Sequence, residues 1–144
     1  MKQRVLFLCT HNSARSQMAE GLLRHGAGDR LEVASAGTEE TRVHPLAVKV
    51  MAEIGIDISH HTSKTLDRFL VERWDYVITV CDRANESCPI FPRQAERLHW
   101  SFDDPSAATG SEHERLNVFR RVRDELKERI DAFAAPKVHG VNSC

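Results

Sequence analysis

A chain of 144 residues, 41% hydrophobic and 28% charged, has enough apolar content for one packed domain and little room for a second. Its formal net charge of -1 excludes a general attraction to nucleic acid or to an anionic membrane, so any bound anion must be held by a local pocket. Near the N-terminus only Val5 to Cys9 is apolar, too short for a signal peptide, and no stretch has the length of a membrane-spanning helix. A cytoplasmic location is therefore expected, where thiols stay reduced and four cysteines ask for a catalytic, redox or metal explanation.

Arg4 to Cys9 is a nearly continuous apolar run, the pattern of a parallel strand buried on both faces. Ser13 to His25 then carries Met18, Ala19, Leu22 and Leu23 on one helical face and closes at Gly26 and Gly28. A second strand reads Leu31 to Gly37. Beyond His44-Pro45, the residues Leu46, Val50, Met51 and Ile54 keep helical spacing as far as Gly55. A shorter helix is expected from Thr62 or Ser63 towards Trp74. Tyr76 to Cys81 is rich in β-branched residues and reads as a third strand, with a fourth around Leu98 to Phe102.

The last helix opens on a capping box, Ser111 with Glu114, and Leu116, Phe119, Val122, Leu126, Ile130 and Phe133 line one face. Residues 136–144 are expected to be a flexible tail, with Cys144 an incidental thiol near its end. Trp74, Trp100 and Phe119 read as core, and Arg120, Arg121 and Arg123 as a solvated helix face. The histidines His44, His60 and His61 have no partner that would make them ligands.

Strands alternating with helices predict an α/β fold: an open four-stranded parallel sheet flanked by helices, with residues 1–144 as a single domain. Such sheets place their ligand beyond the carboxyl ends of the strands, where Cys9 and Cys81 fall.

Between the first strand and its helix, Cys9-Thr10-His11-Asn12-Ser13-Ala14-Arg15-Ser16 places a cysteine six residues before an arginine. Successive backbone N–H groups from Thr10 to Arg15, backed by the positive end of a helix, can surround a tetrahedral oxyanion. Arg15 adds a planar fork that grips two oxygens. The same field stabilises a Cys9 thiolate, making it a nucleophile, and Ser16 or Ser13 can add a hydrogen bond to the sulfur. A buried structural Cys9 is the plain alternative.

The run CTHNSARSQMAEG resembles the phosphate-binding loop of the low-molecular-weight protein tyrosine phosphatases, and more closely that of their offshoot, the thioredoxin-coupled arsenate reductases. The similarity continues through SAGTEETRVHPLAV, GIDISHHTSK, YVITVCDRANESCP, HWSFDDP and FRRVRDELKERI, and covers nearly all of the chain from Val5 to about Ile130. It implies a low-molecular-weight tyrosine phosphatase-like fold.

Expelling oxygen from an attacked tetrahedral centre needs a proton donor, and Asp103-Asp104-Pro105 follows the fourth strand. Similarity to the family's aspartate-proline signature selects Asp104; otherwise both aspartates simply open a turn. Cys81 and Cys88 stand six residues apart on a polar loop, neither a C-x2-C zinc knuckle nor a thioredoxin-type pair, although a zinc site from Cys9, Cys81, Cys88 and a histidine stays open.

The resemblance implies a relay. Cys9 attacks arsenate held by the loop and Arg15, Asp104 protonates the departing oxygen, Cys81 and then Cys88 take up the disulfide, and thioredoxin reduces it. Arsenate and thioredoxin are the expected partners of a monomer that needs neither metal nor cofactor. Some relatives hold potassium beside the loop on residues resembling Asn12, Glu20 and Ser35 and on an acidic position where this chain has Lys64. The Lys64 ammonium is accordingly expected to stand in the ion's place and pair with Glu20.

Two rivals remain. Phosphatases acting on phosphotyrosine usually carry a second cysteine where Ala14 sits and tyrosines after the aspartate-proline, whereas this chain has Ser106 there and a single tyrosine, Tyr76. A non-enzymatic arsenite or metal sensor could use the three thiols, but has no need for Arg15, an oxyanion loop or Asp104.

Overall fold

A computed structural model describes residues 2–39, 41–80 and 95–135. Its strands are β1 (Gln3–Cys9), β2 (Leu31–Gly37), β3 (Tyr76–Thr79) and β4 (Glu96–His99), in spatial order β2-β1-β3-β4 and all parallel. Among the described residues the helices are α1 (Arg15–Ala27), α2 (Pro45–Ala52) and α3 (Glu112–Ala134), with 3-10 turns at Leu66–Phe69, between α2 and β3, and at Pro105–Ala107, between β4 and α3. With a strand on either side, β1 is buried from Val5 to Cys9, which accounts for its unbroken apolar run. The α/β sheet is thus the expected one. Among the described residues no helix is long and apolar enough to cross a membrane.

Three expectations change. The fourth strand runs from Glu96 to His99 instead of Leu98 to Phe102, because Tyr76 pairs with Glu96 and Thr79 with His99. As an edge strand with polar residues it carries no apolar signature. The helix expected from Thr62 towards Trp74 contracts to the turn Leu66–Phe69. Ahead of it the chain is extended, the Lys64 carbonyl accepts from Gly37 N (2.8 Å), and Thr65 bridges Gly37 as an added strand residue. Arg123 is not solvated: it is buried, donating to the Val50 carbonyl (2.8 Å) and to Glu53 (3.0 Å), and so ties α3 to α2.

Arg120 also grips Glu53, whose pKa is lowered by these guanidinium hydrogen bonds, that from Arg120 foremost. The capping box of α3 is present, with the Ser111 hydroxyl on Glu114 N and the Glu114 carboxylate on Ser111 N. Trp74, Trp100 and Phe119 are core residues, as expected. Cys81, Cys88, Cys144 and the expected tail all lie outside the described residues.

The carboxyl ends of β1 and β2 meet at Cys9 and Gly37. A Cβ added to Gly37 would stand 2.7 Å from the Thr10 carbonyl oxygen and 2.8 Å from both the Cys9 oxygen and Asn12 N. All three are backbone atoms and cannot swing aside. Gly37→Ala should therefore destabilise the fold by about 1–3 kcal/mol, the usual cost of overpacking, and disturb the loop after β1. Urea unfolding together with phosphate binding checks this; wild-type values in both would refute it.

Candidate active site

The loop between β1 and α1 is held from outside by its carbonyl groups. Thr10 O accepts from Glu39 N (3.0 Å) and the Thr38 hydroxyl (3.1 Å), and His11 O from the Thr41 (2.8 Å) and Ser63 (3.2 Å) hydroxyls. Asn12 O accepts from Gln17 Nε2 (3.2 Å), Ser13 O from His44 N (2.9 Å), and Ala14 O from Met18 N (2.9 Å). A trans peptide points its N–H opposite to its C=O. Four carbonyls, Thr10 to Ser13, engaged by side chains and neighbouring segments therefore turn the N–H groups of the following residues towards the inside of the loop, and Ala14 O opens the ladder of α1. The first turn of α1 has no side-chain cap and no acidic residue to compete for its positive end.

Asn12 is the pivot. Its φ of 49° is the only positive value among described non-glycine residues, a region asparagine tolerates better than most. All four hydrogen-bonding positions of its buried amide are used. Nδ2 donates to Ser16 Oγ (2.8 Å) and Ser35 Oγ (2.9 Å), while Oδ1 accepts from Lys64 N (2.8 Å) and Gln17 Nε2 (3.0 Å). The Ser35 hydroxyl in turn donates to Glu20 (2.5 Å).

The pocket that results is lined by Cys9, His11, Ser13, Ala14 and Arg15, with Asp104 and Ser106 facing them. Cys9 is buried, 4% exposed. Arg15 NH1 donates to the Phe102 carbonyl (2.9 Å) and NH2 lies 3.5 Å from Asp104 Oδ2. Its Nε is the one buried side-chain polar atom without a hydrogen-bond partner among the described residues. Asp104 Oδ1 accepts from the N–H (3.0 Å) and hydroxyl (2.6 Å) of Ser106, which leaves Oδ2 turned to the guanidinium. Asp103 is largely exposed and pairs with Arg121 (3.2 Å), away from the loop. A cysteine, a guanidinium and a carboxyl group thus share one small cavity.

A scan against family models matches residues 4–140 to the low molecular weight phosphotyrosine protein phosphatases. The chain belongs to this family. An arsenate reductase of Halalkalibacterium halodurans is 53% identical over 133 residues, spanning 92% of this chain and 96% of that one. A solved arsenate reductase in the phosphate-binding state superposes with a TM-score of 0.74 at 37% identity, covering 91% of this chain and 95% of the other. The Corynebacterium glutamicum thioredoxin-dependent arsenate reductase superposes with a TM-score of 0.66 at 32% identity, over 92% of this chain and 63% of that one.

Within this family frame, His11, Ser13, Ala14 and Arg15 of the expected oxyanion residues line one pocket with Cys9 and Asp104, whereas Asn12 and Ser16 are buried and bonded to each other, and Asn12 is linked through Ser35 to Glu20. Lys64 is placed otherwise than expected. Its ammonium donates to the Thr62 carbonyl (2.6 Å), and only its backbone N–H reaches the loop, at Asn12. Burial is the main influence lowering its pKa. The cation on Glu20 is Arg24, one helical turn along α1 at 2.5 Å, which has a shorter path than any side chain from the Lys64 segment.

Sequence reasoning missed Gln17, Thr38, Thr41, Ser63 and His44. None left a signal in the sequence: Gln17 is wholly buried, but it sits among the polar residues Arg15, Ser16 and Glu20. His44 caps α2 by accepting Leu46 N at Nδ1 (3.1 Å), and its pKa is lowered, by burial first and by Arg115 second.

These contacts separate two variants. Lys64→Gln keeps the backbone N–H and should leave phosphate affinity within about twofold. Asn12→Ala strands buried partners at a cost of about 1–3 kcal/mol and should weaken binding roughly 10- to 100-fold. Protection of Cys9 against alkylation by inorganic phosphate measures both; equal losses would refute the assignment.

Proposed function

We propose that this chain reduces arsenate to arsenite, using Cys9 as nucleophile and a Cys9, Cys81, Cys88 relay that thioredoxin resets. The observation that carries the reading is the loop whose carbonyls from Thr10 to Ser13 are engaged from outside while Arg15, with a buried, unpartnered Nε, lines the same pocket as Cys9. Such a cradle suits a tetrahedral oxyanion rather than a cation. The arsenate reductases among the relatives support arsenate as that oxyanion, and the thioredoxin-dependent neighbour supports the electron donor.

In the proposed sequence the Cys9 thiolate attacks arsenic and an oxygen departs, protonated by Asp104. The carboxyl placed 3.5 Å from Arg15 suits that role, whereas the exposed Asp103 does not. The Cys81 thiolate then attacks the Cys9 sulfur. An S–S bond forms, the S–As bond breaks, and its electron pair leaves with arsenic, which falls from the +5 to the +3 state as arsenite. Cys88 attacks Cys81, releasing the Cys9 thiolate and leaving a Cys81–Cys88 disulfide. Two electrons from a thioredoxin dithiol reopen it. The first step would serve a phosphate ester equally well, so a weak phosphatase activity belongs to the same reading. An aromatic-ester specificity is poorly served: Tyr76 packs against Phe133 (5.1 Å between ring centroids), remote from the loop.

Arsenate-dependent oxidation of NADPH through thioredoxin reductase and thioredoxin tests the proposal directly. Cys9→Ser should abolish this turnover together with any ester hydrolysis. Cys81→Ser should lose reduction yet retain hydrolysis, and Cys88→Ser should accumulate a Cys9–Cys81 disulfide on peptide mapping. Normal reduction by either variant would sink the relay.

The carboxylates divide in the same assay. Asp104→Asn should slow turnover by about 10²–10⁴-fold, the range for a general acid, and Asp103→Asn should do far less. Equal effects would remove Asp104 from the mechanism.

A further inference from the structure

Six side chains close into a ring behind the oxyanion loop, and three of them, Gln17, His61 and Arg24, have no part in the chemistry above. Arg24 NH1 lies 3.3 Å from His61 Nε2, His61 Nδ1 lies 3.0 Å from Gln17 Oε1, and Gln17 Nε2 lies 3.0 Å from Asn12 Oδ1. From Asn12 Nδ2 the path continues to Ser35 Oγ (2.9 Å) and on to Glu20 Oε1 (2.5 Å). Glu20 Oε2 closes it on Arg24 NH2 (2.5 Å).

The direction of every bond follows from what each group can offer. Gln17 Nε2 also meets the Asn12 and Thr62 carbonyls, so it is the amide nitrogen, and Oε1 faces His61. His61 Nδ1 must then carry a hydrogen. A guanidinium only donates, so His61 Nε2 must be a lone pair. The five bonds from Arg24 through His61, Gln17, Asn12 and Ser35 all run the same way, from a cation to the Glu20 carboxylate, and the ion pair joins the ends. Bonds aligned in this manner polarise one another.

We propose that Gln17, His61 and Arg24 are positioning residues of the oxyanion loop, holding Asn12 in its left-handed conformation only while His61 is neutral with its hydrogen on Nδ1. The proposal rests on reading the loop as an oxyanion site. A proton on Nε2 would remove the acceptor that Arg24 uses and bring two cations within 3.3 Å, so the ring would open at that joint. Repulsion from Arg24 would push the imidazolium out of the ring, and the Nδ1–H bond that fixes the Gln17 amide would go with it.

The surroundings select the neutral form. Burial is the largest influence lowering the His61 pKa from 6.5; Arg24, His60 and Lys64 act in the same direction, and Glu20 opposes them. On the α1 side His61 faces Gln17, Glu20, Arg24 and His25, and on its own segment Asp57, His60 and Lys64. Because the folded value is lowered, the unfolded chain binds this proton more readily. The stability due to neutral His61 is thus present above about pH 6.5 and lost as pH falls through the lowered folded value.

Inorganic sulfate is the probe, since it stays dianionic from pH 5 to 8, and its affinity is read from protection of Cys9 against iodoacetamide by peptide mass mapping. Wild-type affinity should fall as pH drops through the lowered value of His61 in the folded protein. A proton on His11, which lines the pocket, would act in the opposite sense. His61→Phe should bind about tenfold more weakly at pH 7.5 and lose the acid step. Gln17→Met should match it, and the double variant should be no weaker than either, because one break already opens the ring. A wild-type affinity that does not fall in acid overturns the proposal without any variant having to fold. So does a His61→Phe protein that keeps the wild-type affinity and pH step, or a double variant whose losses add. Failure of the wild-type protein to bind sulfate at any pH would instead refute the oxyanion reading itself.

Discussion

The site depends on one constraint, the outward tethering of the four consecutive carbonyl groups from Thr10 to Ser13. A loop of this length left to itself would solvate its N–H and C=O groups alike. Once partners on four separate segments claim the carbonyls, peptide planarity leaves the N–H edges only the interior to face. Asn12 supplies the bend, at a φ most residues avoid, and its saturated amide offsets the strain. The loop is therefore shaped by its surroundings, which is the condition for electrostatic preorganisation.

The parallel sheet explains why the remaining groups arrive at the same place. β1 is central and buried along its length, so Cys9 at its end is positioned by neighbours on both sides. The chain leaving β4 passes across this end, where the Phe102 carbonyl orients Arg15 and Asp104 lies against the guanidinium.

Membership of the phosphotyrosine phosphatase family and similarity to arsenate reductases are compatible in physical terms. Both chemistries begin with a thiolate attacking a tetrahedral oxyanion, and the same cradle serves either. What separates them is whether further thiols can reach the sulfur after attack, and whether a wall of aromatic side chains receives a phenyl ester. This chain supplies Cys81 and Cys88 and has one tyrosine, placed on β3 against α3.

The sequence by itself determined the alternation of strands and helices, the central place of β1, the capping box of α3 and the residues of the loop from Cys9 to Ser16. Each of these is a local signal: an apolar run, a helical period, a Ser–Glu pair, a cysteine and an arginine flanking a turn. Tertiary structure alone decided the polar edge strand Glu96–His99, the extension of Thr62 to Thr65 and the burial of Arg123, because pairing and ion contacts across the fold outweighed local pattern. It also decided which cation sits on Glu20. From the sequence Lys64 had the right charge, but Arg24 stands one turn away on the same helix, while the Lys64 ammonium turns to the Thr62 carbonyl. Charge is written in the sequence; distance between charges on different segments is not.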